Sequence, residues 1–315
     1  MDVVAIGELL IDFTCVSADA DGYPTMAAHP GGAPANFLAA LAAYGCQTAL
    51  LGKVGTDSFG RMLTETLKKA GIETSGLVHA DDVFTTLAFV TLDEHGNREF
   101  SFSRKPGADT MISFDELDLS LIDASKVFHF GTLSLTDEPA RSATYQAVHY
   151  ARQRGKMITF DPNLRKPLWH DLADAKEQML WGLSYADVVK ISDEEVEFLF
   201  DLSPQDGAKR IMMEYGVKLV FVTCGAKGCF YRNQRAEGFV PAPTGLSVVD
   251  TTGAGDIFGG AAVSEILRTG KRPEDLLRAD LRSITRFACT AASISTTKPG
   301  GISSVPSRQR VLHML

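Results

Sequence analysis

Apolar segments of strand length alternate with segments whose apolar residues recur at helical spacing along most of the chain. The strand candidates are residues 3–10, 48–54, 126–130, 157–160, 188–191 and 219–223. The helix candidates are residues 35–44, 58–70, 138–154, 173–183, 193–200, 205–215, 254–269 and 273–295. Strands that are apolar throughout and joined by helices belong to parallel sheets with both faces covered. The pattern therefore predicts an α/β fold with a mostly parallel central sheet.

One region interrupts this alternation. Residues 85–91 and 98–104 are extended segments on either side of residues 92–97, and residues 14–30 also lack helical periodicity. In the second segment Phe100 and Phe102 alternate with serines, which is typical of a hairpin with one half-buried face. We expect a small sheet outside the main one, whose apolar face covers an active-site cleft, a second subunit or both. The alternative is an edge extension of the main sheet.

The composition is that of a soluble globular protein, with 45% apolar and 22% charged residues. An α/β chain of 315 residues can form one large domain, so we expect a single domain over residues 1–315. The net charge of −8 argues against nucleic acid as a partner, because phosphate contacts need clustered Lys and Arg. The sequence has no run of 18 apolar residues, so no membrane partner is expected.

The five cysteines, at positions 15, 46, 224, 229 and 289, are scattered and odd in number. Such usage is typical of a reducing compartment, where thiols serve as small core residues. The chain begins with a buried-strand pattern and has no basic leader, so we expect a cytoplasmic protein. The cysteine spacing and the isolated histidines do not match a zinc site, and no transition-metal site is expected.

Residues 250–256 read Asp-Thr-Thr-Gly-Ala-Gly-Asp and join a β-type segment, residues 246–249, to a helix. Two glycines in such a turn let the backbone approach a ligand closely. The first amides of the helix have no internal partner and carry the positive end of the helix dipole, which makes the turn an anion site. Asp256 would repel a phosphate there, unless its carboxylate faces an attacking hydroxyl. The alternative is that Asp256 is a helix N-cap and the glycines only form a tight turn.

Two further observations bear on this turn. Residues 259–262 read Gly-Gly-Ala-Ala and keep the start of the helix slim, which predicts that something large lies beside it. The familiar glycine-rich loops are absent, since Gly52-Lys53 lacks the rest of a P-loop and no dinucleotide fingerprint follows the first strand. A nicotinamide-dependent oxidoreductase therefore has no local support.

A second polar constellation lies near the start of the chain. Asp12 follows the first strand, and Gly31-Gly32-Ala33-Pro34-Ala35-Asn36 opens a helix. The glycine pair lets a ligand rest against bare backbone, Asn36 offers two donors and an acceptor, and Asp12 accepts from two hydroxyls. Such a set matches a polyol. The alternative is an ordinary helix entry with a proline near its first position and an incidental Asn.

With these two signatures the chain resembles the ribokinase-like sugar kinases, the PfkB family, and within it the fructokinases most. Gly31, Gly32 and Asn36 match the family's N-terminal motif, and residues 250–256 match its C-terminal one. Residues 104–109, 161–165 and 190–195 support the likeness, which covers essentially the whole chain. The resemblance implies a ribokinase-like three-layer sandwich, with a mostly parallel central sheet and a small β-sheet lid from segments about 13–30 and 84–105.

The resemblance also implies an ATP-dependent kinase that phosphorylates a primary hydroxyl, with fructose to fructose 6-phosphate as the first candidate. Ribose, 2-keto-3-deoxygluconate or a nucleoside remains open as the acceptor. A non-catalytic sugar-binding protein remains open as well, although a pure binder needs no base. We also expect a homodimer that forms through the hairpin at residues 85–104.

In this family the aspartate that closes the C-terminal motif is the base, here Asp256. The amides of Gly253, Ala254 and Gly255 would hold the charge that develops on the phosphoryl group. The position of Asp256 at a helix N-terminus is expected to lower its pKa. The residues expected to contact the sugar are Asp12, Gly31, Gly32, Asn36, Arg104, Arg165 and Asp256. For Arg104, on the expected lid, the alternative is a solvated surface charge.

The nucleotide and its magnesium ion would be bound by a second set. Thr223, Gly225 and Gly228 match the family's Thr-x-Gly-x-x-Gly loop, and Glu195 would organise Mg²⁺ through water. Ser192 stands where the family has Asn, which puts a direct contact to ATP in doubt, and Lys190 offers compensating charge. The nucleotide-binding residues implied are Lys190, Ser192, Glu195, Thr223, Gly225, Gly228, Gly253 and Gly255.

The resemblance further implies a K⁺ ion, which would fix the turn that carries the anion site. Its ligands would be the Asp250 carboxylate, the Ser304 side chain and the backbone carbonyls of Thr252, Ser295, Lys298 and Gly300. The alternative is a plain C-terminal turn in which Lys298 replaces the cation.

Overall fold

The computed structural model describes residues 1–92 and 98–315, and the side chains of all of these except 92 and 98–100. The strands are β1 Val3–Ile6, β2 Leu10–Ala18, β3 Pro24–Gly31, β4 Thr48–Gly55, β5 Ile72–Glu73, β6 Leu77–Ala80, β7 Leu87–Leu92, β8 Arg98–Ser103, β9 Val127–Gly131, β10 Met157–Asp161, β11 Val188–Ser192, β12 Leu219–Thr223, β13 Gly228–Asn233 and β14 Glu237–Pro241. The α-helices are α1 Ala33–Ala43, α2 Ser58–Lys69, α3 Leu119–Ala124, α4 Ala140–Gln153, α5 Leu172–Tyr185, α6 Asp193–Phe200, α7 Pro204–Tyr215, α8 Ala254–Thr269, α9 Arg278–Ser295 and α10 Arg308–His313.

The main sheet has the strand order β14-β13-β12-β11-β10-β9-β1-β4-β5, with β6 also paired to β4. Its strands pair in parallel from β12 to β5, and the β1 register places Val3 between Thr48 and Val127. The predicted mostly parallel sheet is therefore confirmed. Two antiparallel strands at one edge, β13 and β14, were not predicted, and neither were the short strands β5 and β6.

Helices cover both faces of this sheet. Val4 and Ile6 of β1 pack into a core with residues of α4 and α5, whereas Val3 and Ala5 pack on the other face with residues of α1 and α2. Successive side chains of a strand point to opposite faces, so an uninterrupted apolar strand needs two cores. This arrangement is the reason why the β1 sequence is apolar at every position.

The predicted small sheet is also confirmed, with the strand order β3-β2-β7-β8 and no strand shared with the main sheet. The edge-extension alternative is thus wrong. The expected strand over residues 3–10 was also wrong at its end, because β1 stops at Ile6 and Leu10 already begins β2 of the small sheet. The connection between β7 and β8, residues 93–97 of the expected hairpin, lies outside the described residues.

The carboxyl ends of the parallel strands bring polar residues to one edge of the sheet. Asp161 ends β10, Ser192 ends β11 and Thr223 ends β12. Ligands of open α/β sheets bind outside these ends. In the part of the chain that the structure describes, no helix is long and apolar enough to cross a membrane.

The glycines at the start of α8 serve helix packing. A Cβ on Gly260 would lie 2.4 Å from the backbone oxygen of Phe37 in α1, and one on Gly259 would lie 3.3 Å from a ring carbon of Phe37. The large neighbour that the sequence predicts is therefore helix α1. Close contact between α1 and α8 brings the two polar signatures of the sequence together.

We predict that Gly260→Ala destabilises the fold by about 1–3 kcal/mol, since the added methyl meets rigid backbone. Gly259→Ala is the matched control, because it meets only a side chain and gains helix propensity, so its change should stay below about 1 kcal/mol. Urea unfolding of both variants measures this difference. Equal stability of the two variants would contradict the packing account.

Candidate functional site

A cavity of about 960 Å³ opens between the carboxyl ends of β10–β12 and the start of α8. The small sheet forms one wall of it through Leu10, Asp12 and Phe102. The predicted site residues that line the cavity are Asp12, Gly32, Asn36, Arg165, Lys190, Ser192, Glu195, Thr223, Gly225, Gly228, Thr252, Gly253, Ala254, Gly255 and Asp256. Gly31, Arg104, Asp250, Ser295, Lys298, Gly300 and Ser304 are not among its lining residues.

The turn before α8 has the geometry of an anion site. Gly253 is the N-cap and has the left-handed φ of 75°, which glycine adopts without strain. A Cβ there would lie 2.9 Å from the Cα of Gly301 and 3.1 Å from Nδ2 of Asn36. The first amides of α8 have no partner within the helix, although the Ala254 amide donates to the Thr251 carbonyl at 3.3 Å.

Two expectations for this turn need correction. Asp256 is the third residue of α8, so the N-cap alternative for it is wrong. The approach to the turn is not a strand, since Val248 and Val249 are exposed and the amides of Val249 and Asp250 donate to the carbonyl of Thr296. The turn is therefore preceded by a hydrogen-bonded loop, in which no neighbouring strand of the described residues covers either valine.

Asp256 is buried at the floor of the cavity, and its Oδ2 accepts a hydrogen bond from Asn36 Nδ2 at 2.9 Å. Burial raises the pKa of Asp256, although Lys190, Asn36 and Arg165 lower it. The expected lowering by the helix N-terminus was therefore wrong. The cost of burying the carboxylate exceeds the gain from nearby positive groups, and this makes Asp256 a stronger base.

The N-terminal constellation depends on the absence of side chains at its glycines. A Cβ on Gly31 would lie 2.2 Å from Oδ2 of Asp12, so glycine leaves the space that this carboxylate fills. Gly32 has φ 118°, and a Cβ there would lie 2.4 Å from the backbone oxygen of Glu8. The segment is thus more than an ordinary helix entry, although Pro34 does lie at the start of α1 as predicted.

Asp12 and Asn36 both line the cavity. Burial raises the pKa of Asp12 to about 6; Arg165 lowers it, while Asp250 and Asp256 raise it further. Asn36 is buried, and its Oδ1 has no hydrogen-bond partner among the described residues. This oxygen lies against the backbone of Gly301, where an added Cβ would come within 2.1 Å of it.

Sequence reasoning missed Glu8, which is buried and lines the cavity. Its carboxylate accepts from the Ala33 amide at 2.7 Å and so positions the start of α1. Burial raises the pKa of Glu8 to about 8. The available signal was an acidic residue directly after a fully apolar strand.

Lys190 and Asp161 form an ion pair inside the site. The Lys190 Nζ lies 3.0 Å from Oδ2 of Asp161, and the two side chains are 13% and 7% exposed. Burial lowers the pKa of Lys190, but Asp161, Glu195 and Asp256 raise it by more. Asp161 was not predicted as a site residue, although it too is an acidic residue at the end of an apolar strand.

Ser192 and Glu195 cap helix α6. The Ser192 Oγ accepts from the Glu195 amide at 3.1 Å, and Glu195 Oε2 accepts from the Ser192 amide at 2.8 Å. The other Glu195 oxygen accepts from the amide of Leu164 at 2.7 Å. Ser192 therefore caps helix α6, at the position where the family pattern has an Asn. Across residues 1–92 and 98–315, no group of three or more His, Cys, Asp or Glu side chains could hold a metal ion.

Arg104 does not lie on an exposed lid surface. It is buried, and its guanidinium donates to Asp109 at 2.8 Å, to Thr136 Oγ1 at 2.8 Å and to the Leu133 carbonyl at 2.9 Å. The solvated-charge alternative is wrong. Thr86 also donates to Asp109, so this group ties the start of β7 and the end of β8, which lie side by side, to the body of the protein.

The predicted nucleotide loop follows β12. Gly225 and Gly228 have φ of 53° and 126°, and a Cβ on Gly228 would lie 2.1 Å from the Val240 carbonyl. Thr223 donates through Oγ1 to Ile191 at 3.4 Å. The cavity beyond this loop has an apolar wall that the sequence did not predict, formed by Leu246, Val248, Phe258, Cys289 and Ala292.

The predicted cation ligands lie on two loops that Asp250 joins. Its Oδ1 accepts from the Thr252 amide at 2.9 Å and the Thr252 hydroxyl at 2.8 Å, and its Oδ2 accepts from the Gly300 amide at 2.9 Å. The Ser304 hydroxyl donates to the Gly301 carbonyl at 2.8 Å. Lys298 is exposed, and its amide donates to the Ser295 carbonyl at 3.2 Å.

Proteins similar to this chain include several fructokinases. Fructokinase-2 of Solanum lycopersicum is 40% identical over 316 aligned positions, which cover 99% of this chain and 95% of that protein. The fructokinase of Xylella fastidiosa with bound ATP has a TM-score of 0.91 at 29% identity, covering 99% of this chain and 97% of that one. A fructokinase double mutant from Vibrio cholerae O395, bound to fructose, ADP and a potassium ion, has a TM-score of 0.86 at 29% identity, covering 100% and 98%.

The family model described as pfkB family carbohydrate kinase matches residues 1–308. That match covers both polar signatures and the main sheet between them. The chain therefore belongs to the pfkB family of carbohydrate kinases and has the ribokinase-like α/β fold with a small separate sheet.

Proposed function

We propose that the protein transfers the γ-phosphoryl group of ATP to a primary hydroxyl of fructose and releases fructose 6-phosphate and ADP. The observation that carries this function is the buried Asp256 carboxylate, held by Asn36 at 2.9 Å directly beside the amide turn at Gly253–Gly255. A base and an anion site side by side are what phosphoryl transfer to an alcohol needs. The fructokinase of Solanum lycopersicum supports fructose as the acceptor.

The sugar end of the cavity lies between β2 and the start of α1. Asp12 accepts from sugar hydroxyls, Asn36 holds Asp256 beside them, and Gly32 lets the ring rest against backbone. Arg165 lines the cavity, and its positive charge lowers the pKa of both Asp12 and Asp256. Its guanidinium reaches the sugar or a phosphate oxygen. A direct contact from Arg104 would require it to give up donors that Asp109, Thr136 and Leu133 now occupy.

In the chemical step Asp256 takes the proton of the sugar hydroxyl while the hydroxyl oxygen attacks the γ-phosphorus. The new O–P bond forms while the bond from the γ-phosphorus to the bridging oxygen breaks, and ADP leaves. The amides of the Gly253–Asp256 turn and the Lys190 ammonium neutralise the charge on the transferred group. The raised pKa of Asp256 favours the proton transfer.

The nucleotide occupies the other end of the cavity. Thr223, Gly225 and Gly228 contact its polar part, and the apolar wall around Leu246 and Val248 takes the flat base. When bound with ATP, Mg²⁺ would supply positive charge to the phosphates, and Glu195 would hold it through water. Both Glu195 oxygens already accept amide bonds, so a water-mediated role fits better than direct ligation.

A K⁺ site fits the two loops beside the anion turn. One carboxylate, from Asp250, and a ring of backbone carbonyls are ligands that suit a weakly hydrated cation. The ligands would be Asp250, Ser304 and the carbonyls of Thr252, Ser295, Lys298 and Gly300. The potassium-bound fructokinase of Vibrio cholerae O395 supports this assignment. Its task would be to hold the turn in place.

The small sheet would act as a lid over the sugar, because Asp12 and Phe102 line the cavity from it. Val16 of β2 and Tyr23, next to β3, are exposed apolar residues, which supports a homodimer through this sheet. The free cysteines, several of them buried, suit the reducing cytoplasm. One domain over residues 1–315 remains our expectation.

A coupled ADP-release assay across fructose, ribose, 2-keto-3-deoxygluconate and a nucleoside tests the proposed function. We expect fructose to give the highest kcat/KM. A higher value for one of the others would replace fructose as the acceptor. ATP turnover that no sugar stimulates would instead leave a sugar-binding protein without kinase activity.

Asp256→Asn should lower kcat by about 10²–10⁴-fold, which is roughly 2.7–5.4 kcal/mol of barrier, because the amide cannot take the proton. Its fructose affinity should stay near that of the wild type, since Asn36 can still pair with the new side chain. Steady-state kinetics and fructose titration calorimetry measure both effects. Normal turnover in this variant would falsify the role of Asp256 as base.

Fructose affinity should fall as the pH drops through about 6, because Asp12 binds hydroxyls best as a carboxylate. The raised pKa means that the binding form is present above about 6 and is lost below it, so binding should weaken by roughly tenfold for each further pH unit. Calorimetric titration from neutral to acidic pH measures this. Asp12→Asn is the control and should bind weakly with little pH response. A variant that lost affinity as steeply as the wild type would contradict the assignment.

Replacing K⁺ with Na⁺ or Li⁺ should lower kcat, because smaller cations cannot span the carbonyl ring that fixes the turn. Asp250→Asn should be slow in all three salts. Initial rates at constant ionic strength give the comparison. Equal wild-type rates in the three salts would remove the cation site.

A further inference from the structure

Asp161 has no step assigned to it in the chemistry above, yet it forms an ion pair with Lys190, which lines the cavity. It is the last residue of β10, and both of its oxygens accept from Lys190 Nζ in the neighbouring strand β11, at 3.0 and 3.2 Å. The two side chains are nearly closed off from solvent. A buried lysine with one close partner depends on that partner to remain an ammonium.

The other side of the Lys190 ammonium faces the anion turn. A Cβ on Gly255 would lie 2.9 Å from Nζ, so the ammonium occupies space that only a glycine leaves. The positive charge therefore lies against the same backbone that presents the first amides of α8. A group bound by those amides would contact Lys190 as well.

Charged and titratable groups surround Lys190 on several elements. Burial lowers the pKa of Lys190, and Asp161 is the largest of the contributions that raise it. The groups that interact with it are Asp161 on β10, Glu195 on α6, Asp256 on α8, His129 on β9 and Cys229 on β13. Of these, Asp161 is the one in direct contact through two hydrogen bonds.

We propose that Asp161 is a positioning residue that holds the charged Lys190 ammonium against the turn at Gly255. In this position Lys190 contacts the phosphoryl group during its transfer. This role rests on the proposed kinase function. Asp161 also accepts from the Asn163 amide at 3.2 Å, and Leu164 is tied to Glu195 at 2.7 Å. The carboxylates of Asp161 and Glu195 thus together order the segment that carries Arg165.

The test compares Asp161→Asn, Lys190→Met and the double variant. Asparagine keeps the shape of Asp161 but removes its charge, so burial then dominates and Lys190 loses its proton at a lower pH. The phosphoryl contact is present below that pH and lost above it. We expect Asp161→Asn to lose about 10²-fold in kcat/KM for ATP at neutral pH and to gain an alkaline limb, while the fructose KM stays near wild type.

Lys190→Met should lose a similar factor without an alkaline limb, because it has no ammonium to titrate. The double variant should be no slower than Lys190→Met, since Asp161 acts through Lys190. Asp174→Asn is the matched control, as it breaks the Arg141–Asp174 ion pair away from the cavity and should leave the kinetics unchanged. Asp161→Glu retains the negative charge, so its kcat/KM for ATP should stay constant at alkaline pH, as in the wild type.

A wild-type pH profile in Asp161→Asn would overturn the proposal, and so would a double variant in which the two losses multiply. Should Asp161→Asn fail to fold, an alkaline limb in Asp161→Glu would overturn it instead. ATP titration calorimetry over the same pH range separates this proposal from the proposed function. If the wild type phosphorylated no sugar, loss of ATP affinity at alkaline pH in Asp161→Asn alone would still support the positioning role, and unchanged affinity would overturn it.

Discussion

The burial of the Asp256 carboxylate beside the amino end of α8 is the constraint on which the rest of the site depends. A carboxylate without water is costly, and Asn36 at 2.9 Å is its one hydrogen-bonding side chain among the described contacts. Lys190 and Arg165 lower the pKa of Asp256, but burial raises it by more, so this pKa stays above its usual value. The result is a base that sits next to an anion site and is still ready to accept a proton.

Glycine positions make this crowding possible. A side chain at Gly31 would displace Asp12, and one at Gly255 would displace Lys190. At Gly301 a Cβ would lie 2.1 Å from Oδ1 of Asn36. Asp12, Lys190 and Asn36 thus occupy volume that a neighbouring glycine leaves, so these motifs need glycine for packing as much as for backbone freedom.

The sequence predicts the features that depend on local pattern. The parallel strands follow from apolar runs with helices between them, and the 250–256 turn follows from its own residues. The antiparallel strands β13 and β14 were missed: β13 is almost wholly buried, whereas β14 is mostly exposed and of mixed sequence. The sequence predicts a sugar contact for Arg104 but not its burial, because Thr136 and the Leu133 carbonyl come from a distant segment of the chain. The direction of the Asp256 pKa shift was wrong because burial is a property of the whole fold. Which predicted site residues touch a ligand stays a prediction from the family resemblance.

The most direct measurement is a crystal structure of the enzyme with fructose and a non-hydrolysable ATP analogue. The account predicts an Asp256 oxygen within about 2.6–3.2 Å of the primary hydroxyl, with the γ-phosphate analogue at the amides of the α8 turn. A carboxylate that lies more than about 6 Å from every sugar oxygen would contradict it, because proton transfer needs hydrogen-bond reach.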